Sequence, residues 1–190
     1  MDRDTALILV YGADGDDPRV RFLREGESYL NYALKLIGRD DTKKTIAELL
    51  DLPAAAVVET DPDAPSLLLF AGFPDKTVHL LLGALRDNQI RFDLKAVVTG
   101  TNRGWTLDRL LEDLRDEHAV MNAWQALAAM TQKADLLLME PAVLLDTGGF
   151  EADVDAVKSF LRQESNEAIT LDILIEKKKK IEDHLSRLGY

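Results

Sequence analysis

Cysteine is absent from the 190-residue chain. That one absence excludes disulfides, thiol catalysis, iron-sulfur clusters and cysteine-bound zinc. No apolar run reaches the roughly 18 residues that a membrane-spanning helix needs, and Met1-Asp2-Arg3-Asp4 lacks the basic-then-apolar layout of a signal peptide. Basic residues are scarce: 23 Lys plus Arg stand against 34 Asp plus Glu, a formal charge of -11 and a pI near 4.7. Such a balance repels phosphate backbones, so nucleic acid is not expected as a partner. What is present suits a soluble, cytoplasmic globular protein, with 46% hydrophobic and 30% charged residues.

Two short apolar runs, Thr5 to Tyr11 and Ser66 to Ala71, are each stopped by glycine, at Gly12 and Gly72. Apolarity that is continuous rather than alternating predicts central strands covered on both faces. After the second run, Val78, Leu81, Leu82 and Leu85 recur at helical spacing between Pro74 and Asn88. Phe92 to Thr99 then reads as a strand. A second helix carries Leu107, Leu110, Leu111 and Leu114, with Thr106 placed to cap its free amides and Trp105 to staple onto Leu110.

The first half resembles a degenerate copy of this β-α-β-α unit. Leu7 to Gly12 align with Leu67 to Gly72 at a shift of 60, and Leu34-Lys35 with Leu94-Lys95 at the same shift. Thr45 to Leu50 lie over Thr106 to Leu111 at a shift of 61. On this alignment Ala33 to Gly38 is a strand; a single helix from Phe22 to Ile37 is the other reading. Pro53 to Pro65 is the clearest linker.

From Ala119 onward the pattern turns helical, divided by Pro141 and Gly148-Gly149, with Glu117-His118 a joint or a continuation of the preceding helix. Phe150, Val154, Val157 and Leu161 are spaced 4, 3, 4, and Leu171, Leu174, Lys178, Ile181, Leu185 and Leu188 are spaced 3, 4, 3, 4, 3. These spacings suit either a coiled-coil seam or packing among the tail's own helices. Charge is acidic on both sides of His118: 15 basic against 22 acidic through it, and 8 against 12 after it.

No catalytic constellation emerges, and neither a metal nor a cofactor is expected. Gly12-Ala13-Asp14-Gly15 lacks the third glycine of a dinucleotide loop, and Asp14, Asp16 and Asp17 would repel a pyrophosphate, so a structural turn is the reading. His79, His118 and His184 stand apart in sequence; His118 is read near a helix end and His184 on a face with Lys180. The lysines Lys177 to Lys180 ring a helix rather than striping it. The richest segment is Thr99-Gly100-Thr101-Asn102-Arg103-Gly104-Trp105-Thr106, at the end of a strand where α/β sheets favour ligands. Helix-start amides with Arg103 suit an anion, and Trp105 suits a flat group. A capped, stapled turn accounts for the same residues without a ligand.

The run Leu94-Lys95-Ala96-Val97-Val98-Thr99-Gly100-Thr101-Asn102-Arg103-Gly104-Trp105-Thr106 is preceded by Gly72-Phe73 and a helix and followed by Leu110-Leu111-Glu112 and Glu117-His118. It resembles the bacterial domain of unknown function 3783 over about residues 66 to 118, more faintly over the first 60. That family usually has proline between the two threonines, where this chain has Gly100 and a less rigid turn. The helical tail exceeds the family's usual extent. The resemblance implies an α/β fold in a bacterial, cytoplasmic setting and brings no reaction or ligand with it.

The expectation is therefore an α/β domain over 1–118, built of two β-α-β-α units (1–60 and 61–118) sharing one small sheet, ferredoxin-like in spirit, with a helical extension over 119–190. Function is a separate matter from fold. Two readings lead, a non-enzymatic interaction or scaffold module whose tail binds itself or a partner protein, or a small-ligand sensor; an enzyme is third and needs a residue cluster visible only in three dimensions. The sensor's pocket would be formed by Thr99, Thr101, Asn102, Arg103, Trp105 and Thr106, with a counterpart near Arg39, Asp40 and Thr42.

Overall fold

The computed structural model describes residues 6–55, 57–139, 149–163 and 167–190. Thr5, Pro141 and Gly148, to which the sequence reading assigned roles, lie outside the described residues. The chain divides into two compact units, Met1–Leu114 and Arg115–Tyr190.

In the first unit, strand β1 (Ala6–Tyr11) leads through an acidic turn to helix α1 (Pro18–Leu30). The Asp14 carboxylate accepts the amides of Asp16 and Asp17 at 2.9 and 3.0 Å, and Asp17 in turn accepts the Arg19 amide at 2.8 Å. These aspartates thus build the turn and cap the helix. Helix α1 stops at Asn31, which takes the left-handed conformation (φ 51°). Strand β2 (Tyr32–Ile37) follows at once, which rules out one helix from Phe22 to Ile37. A 3₁₀ turn (Arg39–Asp41) and helix α2 (Ile46–Asp51) complete the first half. The second half repeats this order, with β3 (Leu67–Ala71), α3 (Asp75–Asp87), β4 (Leu94–Val97), a 3₁₀ turn (Asn102–Gly104) and the start of α4 (Leu107–Leu137).

The sheet order is β2-β1-β3-β4, so the two apolar runs are its central strands. β1 pairs parallel with β2, β3 pairs parallel with β4, and the two pairs meet antiparallel through β1 and β3. In each half the strands joined by a helix are direct neighbours. The ferredoxin-like likeness therefore reaches two α/β units on one sheet and not the strand pairing, since a split β-α-β arrangement inserts another strand between them.

Alternation along the strands divides the core in two. Ile8, Val10, Leu68 and Phe70 bury one face with Val20 and Leu23 of α1 and Val78, Leu81 and Leu85 of α3. Leu9, Tyr11, Leu67 and Leu69 bury the other with Ile46 and Leu49 of α2 and Leu107, Leu110 and Leu111 of α4. Both central strands need apolar side chains at every position because helices cover both faces.

Strand pairing corrects one step of the internal alignment. Ile8 pairs with Leu34 while Leu68 pairs with Lys95, so β2 and β4 correspond at a shift of 61, not 60. The extra residue enters before the outer strands. A slip of one residue exchanges the faces of a strand, and so Leu34 lies in the core with α1 and α3 whereas Leu94 lies in the core with α2 and α4. Lys35, on the second face, is buried, and its ammonium donates to the Leu50 carbonyl in the last turn of α2. Burial pushes its pKa down, opposed by the attraction of Asp51.

In the second unit, the C-terminal part of α4 packs with α5 (Phe150–Leu161) and α6 (Leu171–Arg187). Phe150, Val154 and Val157 of one predicted seam and Leu174, Ile181 and Leu185 of the other are buried together with Leu127 and Ala134. These coiled-coil spacings serve packing within the unit. Glu117-His118 continues α4 without a break, so His118 is in mid-helix rather than near a helix end. His184 does not depend on Lys180: its Nε2 lies 2.8 Å from Asp153 and its ring stacks on Phe150. Lys177, Lys178 and Lys180 each pair with a glutamate of the same unit, Glu167, Glu182 and Glu176. Among the described residues no helix is long and apolar enough to cross a membrane.

Candidate functional site

The turn after β4 spends most of its polar groups on itself. Asn102 accepts the Thr99 amide through Oδ1 at 2.8 Å and donates through Nδ2 to the Val97 carbonyl at 3.0 Å. The Thr99 hydroxyl accepts the Asn102 amide at 3.2 Å. Thr106 accepts the Arg109 amide at 3.3 Å, the helix cap its position predicts. Trp105 packs against the core with Leu110 and Leu111, and the Arg109 guanidinium sits 4.3 Å from its ring centroid. Thr101 and Arg103 remain exposed at the tip.

The turn after β2 has a matching construction. Asp41 accepts the Gly38 amide at 3.1 Å, as Asn102 accepts that of Thr99. Arg39 lies 3.7 Å from Asp40 and 3.6 Å from Glu59, all three exposed. Thr45 caps α2 in a reciprocal box with Glu48. The two turns converge, mostly through backbone: Thr45 and Thr106 form an antiparallel bridge, the Ile46 amide donates to the Trp105 carbonyl at 2.8 Å, and among the side chains the Lys43 ammonium pairs with the Asp108 carboxylate. The Leu107 and Asp108 amides donate to the Lys44 and Thr42 carbonyls at 3.0 and 2.9 Å. The amides of Leu107 and Asp108, which an anion at this helix start would need, are thus already engaged.

Concave surfaces lie elsewhere, and two of them combine apolar lining with exposed side chains. In the second unit a groove of about 320 Å³ is lined by Val120, Met121 and Trp124 of α4 with Gln163 and Ile169. Met121 and Ile169 are 54% and 41% exposed, and the Trp124 ring tilts against Phe160 at 5.9 Å. In the first unit a cavity of about 320 Å³ opens at the end of α3, where Arg86, Arg91 and Lys95 surround apolar side chains. Sequence reasoning missed both. The cations are five and four positions apart in sequence, on a helix end, a loop and a strand, so no single periodicity marks them. Among the described residues no group of three or more histidine, aspartate or glutamate side chains is placed to hold a metal ion.

No curated protein and no solved structure matches the chain. A family model does match residues 66–121, which run from β3 through α3, β4 and the Trp105 turn into α4; it is that of a domain of unknown function (DUF3783).

Proposed function

We propose that the protein is a non-enzymatic interaction module whose helical unit receives an apolar segment of a partner protein. The observation that carries this reading is the groove at Val120, Met121, Trp124 and Ile169, where large apolar side chains stay in contact with water although the seams of α5 and α6 are satisfied internally. An amphipathic segment laid into such a groove gains from apolar burial. Asp116, Glu117 and Glu167 are exposed in the same unit, and the chain carries a charge of -11, so the partner that fits is apolar with basic flanks. A second copy would bring the same negative charge and be repelled at long range.

The same reading takes residues 1–60 and 61–118 as copies of one unit, supported by their common element order and by the paired Thr45 and Thr106 corners. It places the protein in the bacterial cytoplasm, in keeping with its acidic, cysteine-free composition.

Calorimetric titration with designed peptides tests the proposal. A helical Leu/Lys peptide should bind, its Leu/Glu counterpart should not, and Met121→Gln with Ile169→Gln should weaken binding about tenfold or more. Equal binding by the double variant, or equal binding of both peptides, would reject it. A sensor at Thr99, Thr101, Asn102, Arg103, Trp105 and Thr106 is the second reading, favoured by the exposed Arg103 guanidinium, which has no partner among the described residues. Trp105 fluorescence should then respond to an anion and lose that response in Arg103→Ala.

A further inference from the structure

The cavity at the end of α3 combines features that a merely solvated surface does not need. Its floor is apolar, made by Leu82 and Leu85 of α3 with Ile90 and Phe92 of the loop that follows. Around it stand Arg86, Arg91 and Lys95, three cations within a chain whose acidic residues outnumber its basic ones by 34 to 23.

The local backbone creates this arrangement. Helix α3 ends with the Asn88 amide on the Ala84 carbonyl, the Gln89 amide on Arg86 and the Ile90 amide on Leu85, at 3.1, 3.0 and 2.8 Å. Gln89 adopts the left-handed conformation (φ 59°), which turns the chain back toward the sheet. The helix-end carbonyls of Ala84, Leu85 and Arg86 are therefore engaged, and their partial negative charge, about half a unit, is outweighed by three full positive ones. Strand β4 is at the sheet edge, which leaves Lys95 exposed beside the cavity.

The neighbouring acids offset the cluster only in part. Asp93 accepts both the amide and the hydroxyl of Ser66 at 2.8 Å, and these bonds, with the attraction of Arg19 and Lys95, hold its carboxyl below the ordinary range. Asp87 approaches Arg86 only at 3.5 Å, with both side chains exposed, a weak pair in water. Lys95 donates to the Phe92 carbonyl at 2.6 Å and keeps further donors. The Arg91 guanidinium has no partner among the described residues.

We infer that this cavity is a binding site for a small organic anion, a phosphate monoester or carboxylate whose apolar body rests on Leu82, Leu85, Ile90 and Phe92 while Arg86, Arg91 and Lys95 hold its charge. A volume of about 320 Å³ matches a small ligand, and a planar guanidinium reads two oxygens of such a head group together. A free inorganic ion would leave the apolar floor wet, and an uncharged aromatic would leave the cations unmatched.

Phenyl phosphate, phenylacetate, phenol and inorganic phosphate, titrated into the isotope-labelled full chain and followed by amide chemical shifts, separate these cases. Phenyl phosphate or phenylacetate should move the signals of Arg86, Gln89, Arg91 and Lys95 in a saturable way. Phenol and inorganic phosphate should bind at least about tenfold more weakly, and so should the better anion to Arg91→Glu, an exposed-loop substitution. No movement with either organic anion, equal binding of phenol, or unchanged binding in Arg91→Glu would overturn the assignment.

Discussion

Thr45 and Thr106, the capping residues of α2 and α4, face each other across an antiparallel bridge, so the two helix starts are joined by backbone, with the Lys43–Asp108 ion pair beside it. Each cap thereby anchors a helix covering the same face of the sheet, the one that buries Leu9, Tyr11, Leu67 and Leu69.

The two caps differ in strength. Thr45 shares a reciprocal box with Glu48, through bonds of 2.7, 2.8 and 3.2 Å, while Thr106 makes a single bond of 3.3 Å. Thr45→Ala should cost about 1–2 kcal/mol and Thr106→Ala about 0.5 kcal/mol. Urea denaturation followed by circular dichroism measures both. Equal losses would show that the bridge, and not the capping box, sets the contribution of these corners.

Gly12 and Gly72 end the two central strands in the same left-handed conformation, at φ 73° and 74°. Their surroundings differ: a Cβ on Gly12 would stand 2.8 Å from the Pro65 carbonyl oxygen, whereas one on Gly72 meets nothing nearer than the Ala6 Cα at 3.8 Å. Gly72→Ala should therefore cost only the conformational strain, about 1 kcal/mol. Gly12→Ala should exceed about 2 kcal/mol, because backbone atoms must also move. Thermal unfolding of the two variants measures the difference, and equal losses would show that Pro65 yields freely.

Tyr32 supplies a pH signature. Its hydroxyl donates to the Leu23 carbonyl, and burial, aided by the charge of Glu27, pushes its pKa from 10.0 up to about 12. The folded chain then holds this proton where the unfolded chain has released it. Stability from Tyr32 is complete below pH 10 and lost as pH rises toward 12. Ultraviolet titration should show a tyrosine step that ionises late, and Tyr32→Phe should remove that step. A variant with an unchanged titration would assign the late step to another residue.

Much of the architecture was legible because its causes are local. The runs ending at Gly12 and Gly72 are strands, Thr106 caps α4, Trp105 packs with Leu110, and Asp14 builds a turn. The family model matches residues 66–121, the stretch over which the sequence resembled that family. The site was less legible. Asn102 and Thr99 have polar groups that a ligand would use, yet these bond one another, and no residue list reveals whether a hydrogen-bonding group is already engaged. Met121 and Arg91 gave no signal, since an exposed side chain becomes part of a surface only through neighbours distant in sequence.

By itself the sequence determined that the runs ending at Gly12 and Gly72 are strands, that Thr106 starts a helix, and that the chain is acidic and free of thiol chemistry. Each of these follows from short-range sterics, hydrogen bonding or composition. Tertiary structure alone decided that β2 and β4 correspond at a shift of 61, that the seams of α5 and α6 close on their own unit, and that Arg86, Arg91 and Lys95 share a cavity. Those outcomes depend on strand register and on which apolar faces meet, and both are set by contacts between residues far apart along the chain.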